Sequence, residues 1–324
     1  MSRRGMISPV FKYIFIGIVG VIILSFFVRF AFKQVETSDT ITEFTEVRTF
    51  EDMLISFSIS GESVTPANFN TKDKLSLDPF SCDSLIAGDT RLKTSKVIFS
   101  PAEFNSDFYI WSVDWKYPYK ITNLFYVSDK ETMFVLVGGD LAKSLKRVRD
   151  NQGNSNRDSI PDVFSVDYQK QIDENYVNGL TEKYNKVRII FVDGTNNIKN
   201  VKNDKLEVVE VKTNKCKDET NCFGSVVANG KEYAFFSRAL LYGAVFSSNY
   251  GCSYKRALSA MSVVSGVYYS KAGELSTKVT GCDYSNLRSI FLQKAKTGSE
   301  FFDRATKLDN ANKKLREEDC ETVF

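Results

Sequence analysis

"TMFVLVGGDLAKSLKRVRD" (132–150) decides the fold class. Its opening run is apolar and β-branched and ends on a glycine pair, the signature of a strand closed by a turn. From Gly139 onward, Leu141, Leu145 and Val148 fall four and three residues apart, which is one face of a helix. Upstream, "KVIFS" (96–100), "DFYIWSVDW" (107–115) and "TNLFYVS" (122–128) read as further short strands bounded by Pro, Gly, Asn and Asp. Downstream, "KVRIIFVDG" (186–194) is apolar enough for a central strand, and "KLEVVEVK" (205–212) alternates like a half-exposed one. In "CFGSVVANGKEYAFFS" (222–237) the Asn229-Gly230 pair predicts a hairpin turn. The order of four strands, a helix and four strands predicts a mixed sheet in an α/β domain over 61–245. The Ser-, Asn- and Asp-rich stretch up to about residue 92 reads as loop.

Beyond 246 the pattern turns helical. "CSYKRALSAMSVVSGVYYSK" (252–271) puts Leu258, Met261, Val264 and Tyr268 on one face, and "SNLRSIFLQKA" (285–295) follows. "SEFFDRATKLDNANKKLREE" (299–318) then spaces Phe301, Leu308 and Leu315 seven apart. These stripes predict core packing in a C-terminal helical bundle over 246–324.

At the other end, Tyr13–Phe32 contains one charge, Arg29. As a helix this stretch reaches about 30 Å, the thickness of a bilayer core. The flank "FFVRFAFKQVE" (26–36) has bulky aromatics where a signal peptidase needs small residues, so an uncleaved anchor is predicted over 13–32. Arg3, Arg4 and Lys12 favour a cytoplasmic tail over 1–12, leaving the bulk of the chain extracellular on the cell membrane. Ile41, Phe44, Val47, Phe50, Leu54 and Phe57 then form one stripe, predicting an amphipathic helical stalk over 33–60.

All six cysteines lie beyond the span: Cys82, Cys216, Cys222, Cys252, Cys282 and Cys320. An even set on the exported side predicts disulfides rather than free thiols. Cys216–Cys222 is the local pair; the other four are expected to tie the C-terminal helices to each other and to Cys82. Zinc is disfavoured by the five-residue gap in "CKDETNC" and by the absence of histidine. Without histidine, Ser-His-Asp and Cys-His catalysis are excluded within this chain. There is no Gly-rich phosphate loop. The net charge of +3 over 324 residues gives no basic block for nucleic acid. No cofactor is expected. A hydrophobic content of 43% with 26 Phe and 15 Tyr predicts a real core.

Two stretches carry candidate binding chemistry. In "NSNRDSIPD" (154–162), Asn154, Asn156, Asp158 and Asp162 stand at positions one, three, five and nine, with the Ile160 carbonyl available between them. The pattern resembles the D-x-D-x-D-G-x-P-D calcium loops of extracellular proteins, which implies those five residues as calcium ligands. It departs from them in its two neutral Asn ligands and in Ser159, which replaces the glycine; an Asn-rich turn is the plainer reading. "YIWSVDWKYPYKITNLFYV" (109–127) holds both tryptophans. Exposed, these aromatics would form a carbohydrate or partner surface; paired as strands, they are core, the reading preferred here. The segment is similar to one in archaeal single-pass membrane proteins that carry no assigned activity.

"RRGMISPV" (3–10) resembles the class III signal of archaeal type IV pilins. The resemblance implies processing between Gly5 and Met6, with Arg4 before the cut and the apolar helix retained as filament core. Lys12, Arg29 and the chain length depart from that family. The expectation is a non-catalytic, single-pass surface protein with a disulfide-stabilised binding or assembly domain. Its partners are the membrane bilayer and either further copies of itself or pilus and surface proteins, with no nucleic acid. A pilin-like or pilus-accessory subunit is the alternative, and a membrane-tethered enzyme using carboxylates is the second.

Overall fold

A computed structural model describes residues 7–60, 63–68, 74–88, 90–146, 159–198, 201, 203–218 and 221–324. The chain begins with α1 (Ile7–Ser60), one unbroken helix of 54 residues and about 80 Å. Short strands follow: β1 (Ser63–Asn68), β2 (Leu75–Leu77), β3 (Ser84–Ala87), β4 (Thr90–Lys93), β5 (Val97–Phe99) and β6 (Glu103–Phe104). Next come β7 (Asp107–Lys116), β8 (Lys120–Asp129), β9 (Thr132–Gly138), α2 (Asp140–Leu145), β10 (Val166–Gln169) and α3 (Glu174–Lys183). The last strands are β11 (Lys186–Val192), β12 (Leu206–Cys216), β13 (Cys222–Ala228) and β14 (Lys231–Phe235). Four helices close the chain: α4 (Arg238–Phe246), α5 (Tyr250–Lys278), α6 (Ser285–Phe291) and α7 (Gly298–Glu317).

The strands form three sheets. One runs β1-β7-β8-β5, a second β4-β3-β2-β6, and the largest β10-β9-β11-β12-β13-β14. In the largest, β10, β9, β11 and β12 are parallel and β13 and β14 are antiparallel. The two-residue period of a strand sorts its side chains. Met133, Val135 and Val137 of β9 join Val187, Ile189 and Phe191 of β11 in a core covered by α3. Phe134, Leu136, Ile190 and Val192 face the opposite way, into the central core. Both faces of these strands are buried, which is why their sequence is continuously apolar.

The central core lies between the largest sheet and the β7–β8 sheet, and α4 fills it. Every residue of α4 is buried. Its fit depends on Gly243, where a Cβ would lie 2.5 Å from the Phe99 ring. Around it Trp111 packs on Tyr126 at 4.9 Å and on Tyr242 at 4.8 Å, while Phe246 meets Phe134 at 4.9 Å. The Tyr126 hydroxyl donates to the Ala239 carbonyl at 2.6 Å, so this buried polar group is satisfied. Helices α5 to α7 share that core through Met261, Leu287, Phe301, Leu308 and Leu315. On the outer side of the β7–β8 sheet, Val47, Phe50 and Leu54 of α1 are at most 1% exposed against Phe104, Phe108 and Leu85.

Three disulfides are present: Cys82–Cys252, Cys216–Cys222 and Cys282–Cys320. The first ties the β2–β3 turn to α5, the second closes the β12–β13 hairpin, and the third holds the chain after α7 to the α5–α6 connection.

The structure corrects two expectations. Three sheets stand where the sequence order suggested one, and residues 63–93, read as loop, form β1 to β4. Those strands are only three to six residues long, and β1 contains Pro66. Proline is tolerated there because β1 is an edge strand. The predicted transmembrane helix is also unsupported by the described residues, among which no helix is long and apolar enough to cross a membrane. Within the predicted span 13–32, side chains are described for residues 17–29.

Candidate functional site

Several sequence-predicted positions lie outside the described residues: Arg4, Gly5 and Met6 of the processing motif, and Asn154, Asn156 and Asp158 of the calcium-like loop. Of the five candidate ligands, Ile160 and Asp162 are described, and they differ in role. Ile160 is buried and its N–H donates to Leu145 O at 2.8 Å, in a parallel bridge with Lys146 just past α2, whereas Asp162 is exposed. Among the described residues no group of three or more His, Cys, Asp and Glu side chains is arranged to hold a metal ion. The aromatic segment 109–127 forms the β7–β8 pair, with Trp111, Trp115 and Tyr126 buried to within 1%. It is core rather than surface.

In the parallel sheet, β9 lies between β10 and β11, so the connection from β9 to β10 and the next one from β10 to β11 run in opposite directions across the sheet. Open α/β sheets bind ligands at such a switch point, outside the carboxyl ends of the strands. Here that edge is built from Gly138, Asp140 and Asp193, while Asp167 of β10 lies level with Val135 in the middle of β9. Gly138 has φ +145°, and a Cβ there would collide with the Val192 carbonyl oxygen, so only glycine lets β9 and β11 close together.

Asp140 is exposed at the first position of α2, whereas Asp167 and Asp193 are already engaged. Asp167 accepts from Lys146 Nζ at 3.1 Å, Tyr168 N–H at 2.8 Å, Gln169 Nε2 at 2.8 Å and the Tyr176 hydroxyl at 2.7 Å. Partial burial pushes its carboxyl up, but the bonds from Gln169, Tyr176, Lys146 and Tyr168 outweigh that and hold its pKa down at about 2. Asp193 accepts from the Thr213 N–H at 2.6 Å and from the Thr213 hydroxyl. A carboxylate saturated in this way locks elements together and is poorly suited to proton transfer at neutral pH.

Sequence reasoning missed the buried Arg188 altogether. It projects from β11 into the central core, donates to Ala244 O at 2.9 Å and to Ser247 O, and pairs with Glu207. The cation thus caps the carbonyl end of α4, where the helix dipole is negative. Burial pulls its guanidinium pKa down, and the Glu207 charge opposes that shift. In sequence, an arginine inside "KVRIIFV" gives no sign of which element will meet it.

Two surfaces bear on function. On α1, Ile18, Val21, Ile22, Ile23, Leu24, Phe26, Phe27 and Val28 are all exposed. At the opposite end of the chain, α5, the α6–α7 connection and α7 enclose a groove of about 520 Å³. Its floor is apolar, with Met261, Phe291 and Phe301, and its wall carries Tyr269, Lys294, Lys296 and Arg304. Tyr269 lies under the Arg288 guanidinium at 4.9 Å.

No family model matches this chain, and neither the curated proteins nor the solved structures contain a match.

Proposed function

We propose that this chain is a single-pass, membrane-anchored surface protein whose disulfide-stabilised extracytoplasmic domain works by binding or assembly rather than catalysis. One observation carries the reading. Along α1, successive side chains turn by about 100°, so Val21, Ile22, Ile23 and Leu24 sweep nearly the whole circumference. They are at least 50% exposed, and no other part of the described chain covers them. Thirty residues on, the same helix buries Val47, Phe50 and Leu54 in the domain. Leaving each large apolar side chain in water costs about 1.5–3 kcal/mol. A helix that is apolar all round belongs in a lipid or protein interior. Three disulfides suit an oxidising compartment, which agrees with an extracellular domain. The four bonds that Asp167 accepts commit that carboxylate to structure.

A pilin-like or pilus-accessory subunit is the second reading, favoured by the unbroken course of α1 from its apolar stretch into the domain. A rigid helix of that kind can pack beside its copies, and a Cβ at Gly17 or Gly20 would meet nothing within 4 Å, so these positions leave room for close approach.

Alkaline carbonate washing of membranes from the native host tests the anchor. The chain should stay in the pellet, and release into the supernatant would refute it. The N-terminus of that material separates the two readings: Met6 supports pilin-like processing, and Met1 or Ser2 supports the plain anchor.

A further inference from the structure

We infer that the groove between α5 and α7 is a docking site for a peptide segment of a partner protein in which acidic residues flank a bulky apolar one. The inference rests on the reading of the domain as a binding module and names the class of partner. Among the described residues outside α1, the exposed large hydrophobics are Phe80, Val163, Val263, Val267 and Leu292. Of these, Leu292 lines the groove, beside Leu258, Met261 and Phe291. An apolar side chain left in water beside a concave apolar floor marks a contact surface.

Charge selects the occupant. Lys294, Lys296 and Arg304 all line the groove, and no Asp or Glu does. Glu300 accepts from the Lys296 and Thr297 N–H groups and so closes the cap of α7, and the bond from the Lys296 N–H is the main cause that holds its carboxyl below the ordinary range. Arg304 donates to the Phe291 carbonyl at 2.8 Å. An incoming carboxylate can pair with the ammonium groups of Lys294 and Lys296 at the rim. A nucleic-acid backbone suits the site less well, because Phe291 and Phe301 are buried floor rather than exposed stacking platforms. A flat lipid surface would leave the concavity unfilled. A peptide that inserts one apolar side chain and sets carboxylates against the rim satisfies both halves of the site.

The test is to pan a randomised twelve-residue phage-display library on the full chain held in phosphatidylcholine nanodiscs, with empty nanodiscs as the control. Enriched peptides should carry Asp or Glu close to Leu, Ile, Phe or Trp. A synthetic form of the leading peptide should bind wild type and lose about tenfold or more in affinity, roughly 1.4 kcal/mol, against the Lys294→Glu/Lys296→Glu variant. Gly266→Trp should do the same, since a Cβ at Gly266 meets nothing within 4 Å and the indole can occupy the groove without displacing protein. Both variants should melt with wild type; if Gly266→Trp does not, the lysine variant alone decides. The inference is overturned by enrichment of peptides without acidic residues, by no enrichment over empty nanodiscs, or by binding indifferent to the variants. It is also overturned by self-association that Gly266→Trp blocks, which makes the occupant a second copy, or by binding to phosphatidylserine nanodiscs in place of peptide. A chain that fails here yet stays in carbonate-washed membranes loses only the docking site; one that leaves the membrane loses the anchor instead.

Discussion

Asp167 shows at the scale of one side chain how a carboxylate of the parallel sheet is given to structure. Its four hydrogen bonds join β10 to the first turn of α3 and to Lys146 at the end of α2. Its carboxyl pKa falls from the ordinary 3.8 to about 2. The folded state therefore holds the ionised form more tightly than the unfolded chain does. The resulting stability is fully present above pH 4 and is lost as the pH falls from about 4 to about 2. Asp167→Asn should lower stability at pH 7 and flatten the acid limb in that window, as followed by urea unfolding at a series of pH values. An unchanged acid slope would show that this carboxylate is not what the acid limb reports. Some residue roles were legible in the sequence, and others were not. The seven-residue spacing of Phe301, Leu308 and Leu315 announced buried positions, and all three are at most 4% exposed. Arg188 was silent, because what buries it, the carbonyl end of α4, lies 56 residues away from it along the chain.

At the scale of elements, periodicity served well wherever one element was long enough to show it. The strands around 107–115, 122–128, 132–139 and 186–194 were legible from their apolar, β-branched runs, and the Asn229-Gly230 turn from its chemistry: Asn229 has φ +51° and Gly230 φ +72°. The strands β2 to β4 were not, because three or four residues are too few to display alternation and their neighbours are Ser, Asp and Lys. The stripe on α1 was legible, but not its partner. Val47, Phe50 and Leu54 pack on the β7–β8 sheet and on the small sheet that the sequence had hidden. Phe50 meets Phe108 at 5.5 Å and Phe104 at 6.4 Å. Phe50→Ala should cost about 3–5 kcal/mol in denaturant unfolding and free the lower part of α1 for proteolysis. A cost below about 1 kcal/mol would mean that the stripe is not part of the domain core.

For the whole molecule, the three disulfides join segments that no local signal connects, and they differ in the length of chain they close. Cys82–Cys252 spans 170 residues, Cys282–Cys320 spans 38 and Cys216–Cys222 spans 6. On the chain-entropy account those loops are worth about 5, about 4 and about 2 kcal/mol. Paired Cys→Ser replacements should therefore destabilise in that order, read as the shift in denaturant midpoint. An inverted order would show that strain or residual unfolded structure outweighs loop entropy.

The central claim is that α1 anchors this domain on the outer side of a membrane. Proteinase added to intact cells of the native host tests it most directly, with antibodies against the tail before α1 and against the C-terminal helices reading the two ends. The account predicts that the C-terminal epitope is removed while the N-terminal one persists until the cells are lysed. A C-terminal epitope protected in intact cells and lost only after lysis would contradict it.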